Sequence, residues 1–185
     1  YDAMNWKWFT NPVTKHPYLA CYPEDLPKNV PHGINEEGMF GGWSAYSEHI
    51  FLYILAAGAP REELSTGADS YYAMKTYKGS YKGEKFIFCG TGAAFTYQWT
   101  HAFIDFRNLR DKLDRDWFAN SRHAALAARQ YAIDNADRIK GLGPNSWGMS
   151  ACISPSTGYS GAYGSYPIGA GYKLLEDGTV APYGA

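Results

Sequence analysis

One stretch of the sequence decides the fold: Tyr46-Ser47-Glu48-His49-Ile50-Phe51-Leu52-Tyr53-Ile54-Leu55-Ala56-Ala57-Gly58-Ala59-Pro60. Ser44 precedes it as a helix N-cap residue, and Gly58 with Pro60 supplies a stop signal. The pattern therefore predicts a helix from Ser44 to Ala57. Because its central residues are apolar on every side, we expect this helix to lie inside the core rather than on the surface.

Helical patterns continue after this stretch. They predict two short helices between Pro60 and Tyr77, a helix over Ala94 to Asn108, and the longest helix from Asp114 or Asp116 to about Asn135. Phe86 to Cys89 indicates at most one short strand. Residues 141–185 hold ten of the twenty glycines but only three charged residues. This composition predicts long, ordered loops rich in glycine and tyrosine.

The composition is typical of a folded protein of single-domain size. The chain has 185 residues, of which 17% are aromatic and 19% are charged, and its formal net charge is −1. This charge balance gives no electrostatic reason to expect nucleic acid or an anionic membrane as a partner. The longest apolar run, Ile50 to Ala57, is far shorter than the roughly 18 residues that a membrane helix needs.

Several kinds of chemistry lack their sequence signals. Cys21, Cys89 and Cys152 do not have the Cys-x-x-Cys spacing of a structural zinc site, and we predict neither a metal nor another cofactor. Gly42 to Tyr46 lacks the second glycine of a Gly-x-Ser-x-Gly nucleophile elbow. Gly90 to Phe95 begins like a dinucleotide-binding loop, but a bulky ring stands where the last small residue belongs.

The first candidate cluster surrounds Glu48, in the sequence Trp43-Ser-Ala-Tyr46-Ser-Glu48-His49. A carboxylate in the opening turn of a buried helix is unusual, because apolar surroundings destabilise its charged form and raise its pKa. Such a group can remain a proton donor near neutral pH. The alternative is that Glu48 complements the helix dipole or belongs to a capping box, although Ser44 as N-cap would put Ser47 in the capping-box position.

The second candidate cluster contains Gln98, His101 and Asp105. On a helix their spacing of i, i+3 and i+7 places all three on one face, and His101 and Asp105 at i, i+4 can hydrogen-bond to one another. Arg107 follows two residues later. The alternative is an internal polar network that only fixes packing, and two side chains do not complete a metal site.

The third candidate cluster lies in the glycine-rich region. Asn145 offers a hydrogen-bond donor and acceptors, Trp147 offers a flat apolar ring, and Tyr159 follows. Sugars require this mixture, because their hydroxyl groups need directional hydrogen bonds while their C–H faces lie against aromatic rings. The alternative for Trp147 is an anchor between loop and core.

Five motifs occur in register along nearly the whole chain: Tyr46 to Pro60, Phe95-Thr-Tyr-Gln98-Trp-Thr-His101-Ala-Phe-Ile-Asp105-Phe-Arg107, Asp116-Trp-Phe-Ala-Asn120-Ser121, Asn145-Ser-Trp147-Gly148 and Gly178-Thr-Val-Ala-Pro182. Together they resemble the bacterial glucoamylase-like family. That family includes endo-β-1,2-glucanases and the cyclising domain of cyclic β-1,2-glucan synthases.

The resemblance implies an all-α fold, an (α/α)6 toroid of which this chain is an incomplete portion. It implies one glucoamylase-like domain over residues 1–185 that lacks flanking N- and C-terminal parts, so the missing part of the same toroid is an expected partner. Family domains bind a glucan in a central cleft. Glucan-degrading relatives often work outside the cytoplasm, which favours a periplasmic or secreted location.

The resemblance also implies roles for single residues. Glu48 matches the family's glutamate at the start of an inner helix, a position associated with the general acid. The expected residues in or near the cleft are Gln98, His101, Asp105, Arg107, Asn145 and Trp147. Pro144 stands where many members have an acidic residue, so the second carboxylate stays open.

We therefore expect a glycoside hydrolase that acts on a β-linked glucan, with an oligosaccharide or polysaccharide as its partner. Glu48 would protonate the glycosidic oxygen. Asp105 is the candidate second carboxylate within the chain, although we expect it mainly to orient His101. Trp43, Tyr46 and Tyr159 complete the expected sugar-binding set. The alternatives are a non-catalytic glucan-binding module, a transglycosylating cyclisation domain, and a structural half of a toroid.

Overall fold

The computed structural model describes residues 1–22, 35, 38–154 and 158–184. These residues form two compact units. The first unit comprises Tyr1–Ala45 and His49–Lys75, and the second comprises Tyr46–Glu48 and Thr76–Ala185. The short segment Tyr46–Glu48 thus belongs to the second unit, although the residues on both sides of it belong to the first.

Among its described residues, the first unit holds two short strands and two helices. Strand β1 (Ala20–Cys21) pairs antiparallel with β2 (Met39–Phe40). Helix α1 spans Ile50–Ala57 and α2 spans Gly67–Ala73. The predicted pair of helices between Pro60 and Tyr77 is therefore reduced to α2.

Helix α1 begins six residues later than Ser44, the predicted N-cap, because Ser44 and Ala45 are engaged elsewhere. The carbonyl of Ser44 accepts a hydrogen bond from the Lys75 amide at 2.8 Å, and Ala45 forms a parallel bridge with Lys75. This extended pairing is incompatible with helical geometry, and His49 takes the cap position instead. Every residue of α1 is at least half-buried, including the fully buried Tyr53.

The second unit begins with an antiparallel hairpin. Strand β3 (Tyr77–Tyr81) pairs with β4 (Glu84–Phe88) across a two-residue turn. Both turn residues have positive φ, 47° at Lys82 and 93° at Gly83. This conformation matches the right-handed twist of hairpin strands. The short strand predicted at Phe86 to Cys89 is present as β4, whereas β3 was not predicted.

Two helical segments and the longest helix follow the hairpin. Helix α3 covers Phe95–Gln98 and continues as a 3-10 turn over Trp99–Ala102, and α4 spans Trp117–Asp134. The helix predicted over Ala94 to Asn108 therefore ends early. For α4 the sequence prediction is confirmed, since the carboxylate of Asp116 accepts the Ala119 amide at 2.8 Å as its N-cap.

Helix α4 packs against the β3–β4 hairpin through an amide pair. Asn120 accepts a hydrogen bond from the Ile87 amide at 2.7 Å and donates one to the Ile87 carbonyl at 3.1 Å. The side chain thus continues the backbone pairing of β4 as a neighbouring strand would. Farther along α4, Tyr131 and Ala132 enter an apolar core that also contains the fully buried Tyr163.

The region after α4 is mostly loop. It contains strands β5 (Cys152–Ser154) and β6 (Gly158–Ser160), which pair antiparallel, and a 3-10 turn over Pro182–Gly184. Asp177 ties this region together. Its carboxylate accepts hydrogen bonds from the Tyr163 hydroxyl at 2.7 Å, the Ser154 hydroxyl at 3.1 Å and the Thr179 amide at 2.9 Å.

The prediction of an all-α (α/α)6 toroid, or of a portion of one, is wrong for this chain. In the described ranges, four α-helices are accompanied by three two-stranded antiparallel sheets. The chain therefore mixes α and β structure. The helices within those ranges are also too short or too polar to cross a membrane.

Candidate functional site

A stacked pair of aromatic rings forms the centre of the candidate site. Tyr46 is 4% exposed, and its ring lies parallel to the indole of Trp117 with ring centroids 4.7 Å apart. Tyr97 packs beside Tyr46 at a centroid distance of 6.1 Å. Burial raises the pKa of Tyr46 well above its usual value, so its hydroxyl keeps its proton near neutral pH.

Polar side chains connect this pair to His101. The side chains of Ser121 and Asn120 lie close enough to that of Tyr46 to oppose in part the rise in its pKa. The Ser121 hydroxyl also lies 2.9 Å from Nε2 of His101. Burial lowers the pKa of His101, and the nearby charge of Asp105 opposes that shift only in part. Near neutral pH the imidazole is therefore uncharged and either accepts from or donates to Ser121.

Glu48 lies two residues after Tyr46 and two residues before α1. Its side chain is half-buried, and its carboxylate accepts a hydrogen bond from the Ser47 hydroxyl. Its main-chain carbonyl accepts a hydrogen bond from the Thr100 hydroxyl at 3.0 Å. Glu48 forms no ion pair with any residue in the described part of the chain. The carboxylate is close enough to Tyr46 to add to the rise in the tyrosine's pKa.

Asp105 does not occupy the predicted helical position below His101, because the helix has already ended. Its carboxylate, with 62% of the side chain exposed, instead binds Arg107. Two hydrogen bonds from the guanidinium, at 2.8 and 2.7 Å, and one from the Arg107 amide at 3.0 Å hold it. These bonds lower the pKa of Asp105 to about 2. The group is thus an ionised carboxylate, which can accept a proton but cannot donate one near neutral pH.

A small depression in the second unit brings together two predicted sugar-binding residues, Gln98 and Trp147. Tyr97 and Ser121 also line it, and it is open to solvent. The Gln98 amide donates a long hydrogen bond of 3.5 Å to the Gly184 carbonyl. A ring, an amide and a hydroxyl group therefore face one concave surface.

The remaining predicted residues lie elsewhere. Trp43 belongs to the first unit, where its ring contacts that of His49 at a centroid distance of 4.0 Å. Asn145 is exposed in the turn between Gly143 and Ser146. Tyr159 is 73% exposed on β6, opposite Ile153 on β5.

Sequence reasoning missed four residues that the structure brings to the site: Tyr97, Thr100, Trp117 and Ser121. All four lie inside motifs that carried the family resemblance. The adjacent pair Asn120-Ser121 offered a further signal, because two polar residues interrupt a helix face that otherwise reads as apolar. Clusters of His, Cys, Asp and Glu that could hold a metal are not found among the residues with described positions.

Aromatic rings, hydroxyl groups, an amide and a half-buried carboxylate are groups that carbohydrate-active proteins present to sugars. The comparison with protein families agrees with that class. A family model described as "Putative glucoamylase" matches residues 41–185, and the chain belongs to this family. A comparison with curated proteins gave no match.

Solved structures share part of this fold. A "putative glucoamylase" from Bacteroides caccae superposes with a TM-score of 0.67 at 23% identity, over 88% of this chain and 38% of its own. The endo-β-1,2-glucanase from Chitinophaga pinensis, in complex with sophorotriose and glucose, superposes with a TM-score of 0.65 at 23% identity. The match covers 85% of this chain and 37% of the glucanase chain. The β-1,2-glucanase from Parabacteroides distasonis superposes with a TM-score of 0.65 at 18% identity. The match covers 85% of this chain and 24% of that glucanase chain. This chain thus spans well under half the length of each of these proteins.

Proposed function

We propose that this protein is a glycoside hydrolase that acts on a β-linked glucan, β-1,2-glucan being the favoured substrate, with Glu48 as the general acid. The observation that carries the proposal is the position of Glu48. It is a half-buried carboxylate free of ion pairing in the described ranges, next to the Tyr46–Trp117 stack. The β-1,2-glucanases among the structural neighbours support the choice of linkage.

In this mechanism Glu48 donates its proton to the glycosidic oxygen as the bond to the leaving sugar breaks. A second carboxylate either activates water or attacks the anomeric carbon. Asp105 is the candidate within this chain, because Arg107 keeps it ionised. The distance between the two carboxyl groups determines the stereochemistry, with about 6.5 to 9.5 Å for inversion and about 5 Å for retention.

Sugar binding is assigned to the depression lined by Gln98 and Trp147. We assign one sugar ring to this surface, because an indole and an amide line it together. The indole of Trp147 would take the C–H face of the ring, and the Gln98 amide would bind a hydroxyl group.

The test compares Glu48→Gln with Glu63→Gln in the protein at its full natural length. Glu63 is an exposed glutamate paired with Arg61, so its variant controls for loss of one carboxylate. Reducing ends released from linear β-1,2-glucan are counted. We expect Glu48→Gln to lower the rate by at least about 100-fold, the usual contribution of a general acid. An undiminished rate would remove Glu48 from the mechanism.

A non-catalytic glucan-binding module is the second candidate, and exposed aromatic rings favour it. Trp99 and Phe103 are 52% and 59% exposed, and their ring centroids lie 5.6 Å apart. Such rings can stack on sugars without any cleavage chemistry. In that case the protein would bind β-1,2-glucan, and Trp99→Ala would bind it more weakly. Neither the wild-type protein nor Glu48→Gln would release reducing ends. Cyclic products in place of reducing ends would indicate transglycosylation instead.

A further inference from the structure

The segment Tyr46–Glu48 needs its own attachments to hold its position. It lies outside any helix or strand, yet it belongs to the second unit while Ala45 and His49 belong to the first. The direction of the Glu48 side chain within the second unit therefore depends on the few contacts that this short segment makes there.

Contacts at both ends of the segment fix its position. At its start, the buried ring of Tyr46 stacks on Trp117. At its end, the hydroxyl of Thr100 donates a hydrogen bond of 3.0 Å to the main-chain carbonyl of Glu48. One contact holds a side chain two residues away, and the other holds the peptide group of Glu48 itself.

Thr100 is well placed to act as a rigid donor. It is 3% exposed, and its own carbonyl accepts hydrogen bonds from the amides of Phe103 and Ile104 at 3.1 and 3.0 Å. Its backbone is thereby fixed in the 3-10 turn after α3. A hydrogen bond from a fixed, buried hydroxyl restricts the peptide plane of its acceptor, and that plane sets the direction of the adjoining Cα–Cβ bond.

We infer that Thr100 is a positioning residue for Glu48, which it orients through the Glu48 carbonyl without touching the substrate. The inference rests on the proposed role of Glu48 as the general acid. A purely structural Thr100 would change stability alone. A positioning Thr100 changes the chemical step, because a general acid displaced by about 1 Å can lose 100-fold in rate.

The kinetic test uses Thr100→Val, which keeps the shape but removes the donor, and Thr100→Ser, which keeps the donor. Both are made in the protein at its full natural length and assayed on linear β-1,2-glucan. We expect kcat of Thr100→Val to fall at least about tenfold with KM changed by less than about twofold, and Thr100→Ser to retain most of the wild-type kcat. Equal losses in the two variants, or a change in KM alone, would overturn the inference.

A double variant connects the effect to Glu48. If Thr100 acts through Glu48, then Thr100→Val costs little further activity in the Glu48→Gln background. Additive losses would contradict that connection. Crystal structures of wild type and Thr100→Val separate this inference from the proposed function. If the wild type cleaves no glucan, the hydrolase proposal fails. A displaced Glu48 side chain in Thr100→Val would still support positioning, and an unmoved one would refute it.

Discussion

The ring of Tyr46 lies parallel to the indole of Trp117, with planes 12° apart and centroids 4.7 Å apart. The contact joins the segment that carries Glu48 to the first residue of α4. Parallel stacking of two large rings buries apolar surface at this short segment. The stack is therefore an apolar anchor of the segment that carries the proposed general acid.

Replacing Trp117 tests that anchor. We expect Trp117→Ala to lower the free energy of unfolding by about 3 to 5 kcal/mol, because it deletes a buried ring and leaves a cavity beside Tyr46. Trp99→Ala is the matched control, since its ring is 52% exposed, and it should cost well under half as much. Urea denaturation followed by circular dichroism measures both. Equal costs would show that the stack does not anchor the segment.

Asn120→Ala should loosen the contact between α4 and the β3–β4 hairpin. The amide and carbonyl of Ile87 would both lose their side-chain partner, and each buried unsatisfied group costs about 1 to 3 kcal/mol. Hydrogen exchange checks the site directly, with faster exchange expected at the Ile87 amide. Arg122→Ala, on the exposed face of the same helix, should leave that exchange rate unchanged. Unaltered protection in Asn120→Ala would contradict the interpretation.

Glu176 should make the stability of the fold depend on pH in the acidic range. Hydrogen bonds from Arg138 and then from Tyr131 lower the pKa of Glu176 from 4.5 to about 2. Because the folded-state pKa lies below that of the unfolded chain, this carboxylate contributes its full stabilisation above pH 4.5 and loses it as the pH falls toward 2. Stability of wild type minus that of Glu176→Gln, measured by thermal unfolding, should shrink over this range. A difference that is constant with pH would refute the prediction.

Asp105→Asn tests the candidate second carboxylate. If Asp105 activates water or attacks the sugar, its neutral variant should lose at least about 100-fold in glucan hydrolysis. Asp114→Asn is the matched control, because Asp114 is an exposed carboxylate paired with Arg110 as Asp105 is with Arg107. If the loss is no larger than in the control, Asp105 only stabilises its loop. The second carboxylate must then be a different residue.

Gly178→Ala should disrupt the loop region, whereas Gly171→Ala should not. Both glycines have positive φ, 83° and 87°, so each alanine pays the same conformational cost of about 1 to 2 kcal/mol. At Gly178 the added Cβ would also collide with the carbonyl oxygen of Lys140, while at Gly171 it meets open space. Melting temperatures of the two variants give the comparison. Equal shifts would show that the close approach to Lys140 is not required.

Local signals made α4 predictable from the sequence. Its N-cap, Asp116, and its buried residues at helical spacing act within the helix itself, and the structure has both. The prediction of one helix from Ala94 to Asn108 was wrong for an equally local reason. The carboxylate of Asp105 captures the amide of Arg107, a turn that competes with helical hydrogen bonding. An Asp two residues before Arg carried that signal.

The hairpin and much of the candidate site could not be predicted from hydrophobic periodicity, because they depend on turn conformation and on tertiary contacts. Lys82 adopts positive φ in the turn, which lysine does not favour, so the Lys82-Gly83 pair was not recognised as a hairpin turn. Gln98 and Trp147 line one depression, while their role in sugar binding stays a prediction. The partner of the Glu48 main-chain carbonyl, Thr100, is a tertiary contact that sequence spacing does not reveal.

Asp177 organises the loops after α4 by accepting three directed hydrogen bonds rather than by filling a hydrophobic space. A framework of this kind tolerates changes of side-chain size at the outer rim, provided that the donors Tyr163 and Ser154 stay. The exposed pair Ile153 and Tyr159 on β5 and β6 can thus diversify without moving the backbone beneath it.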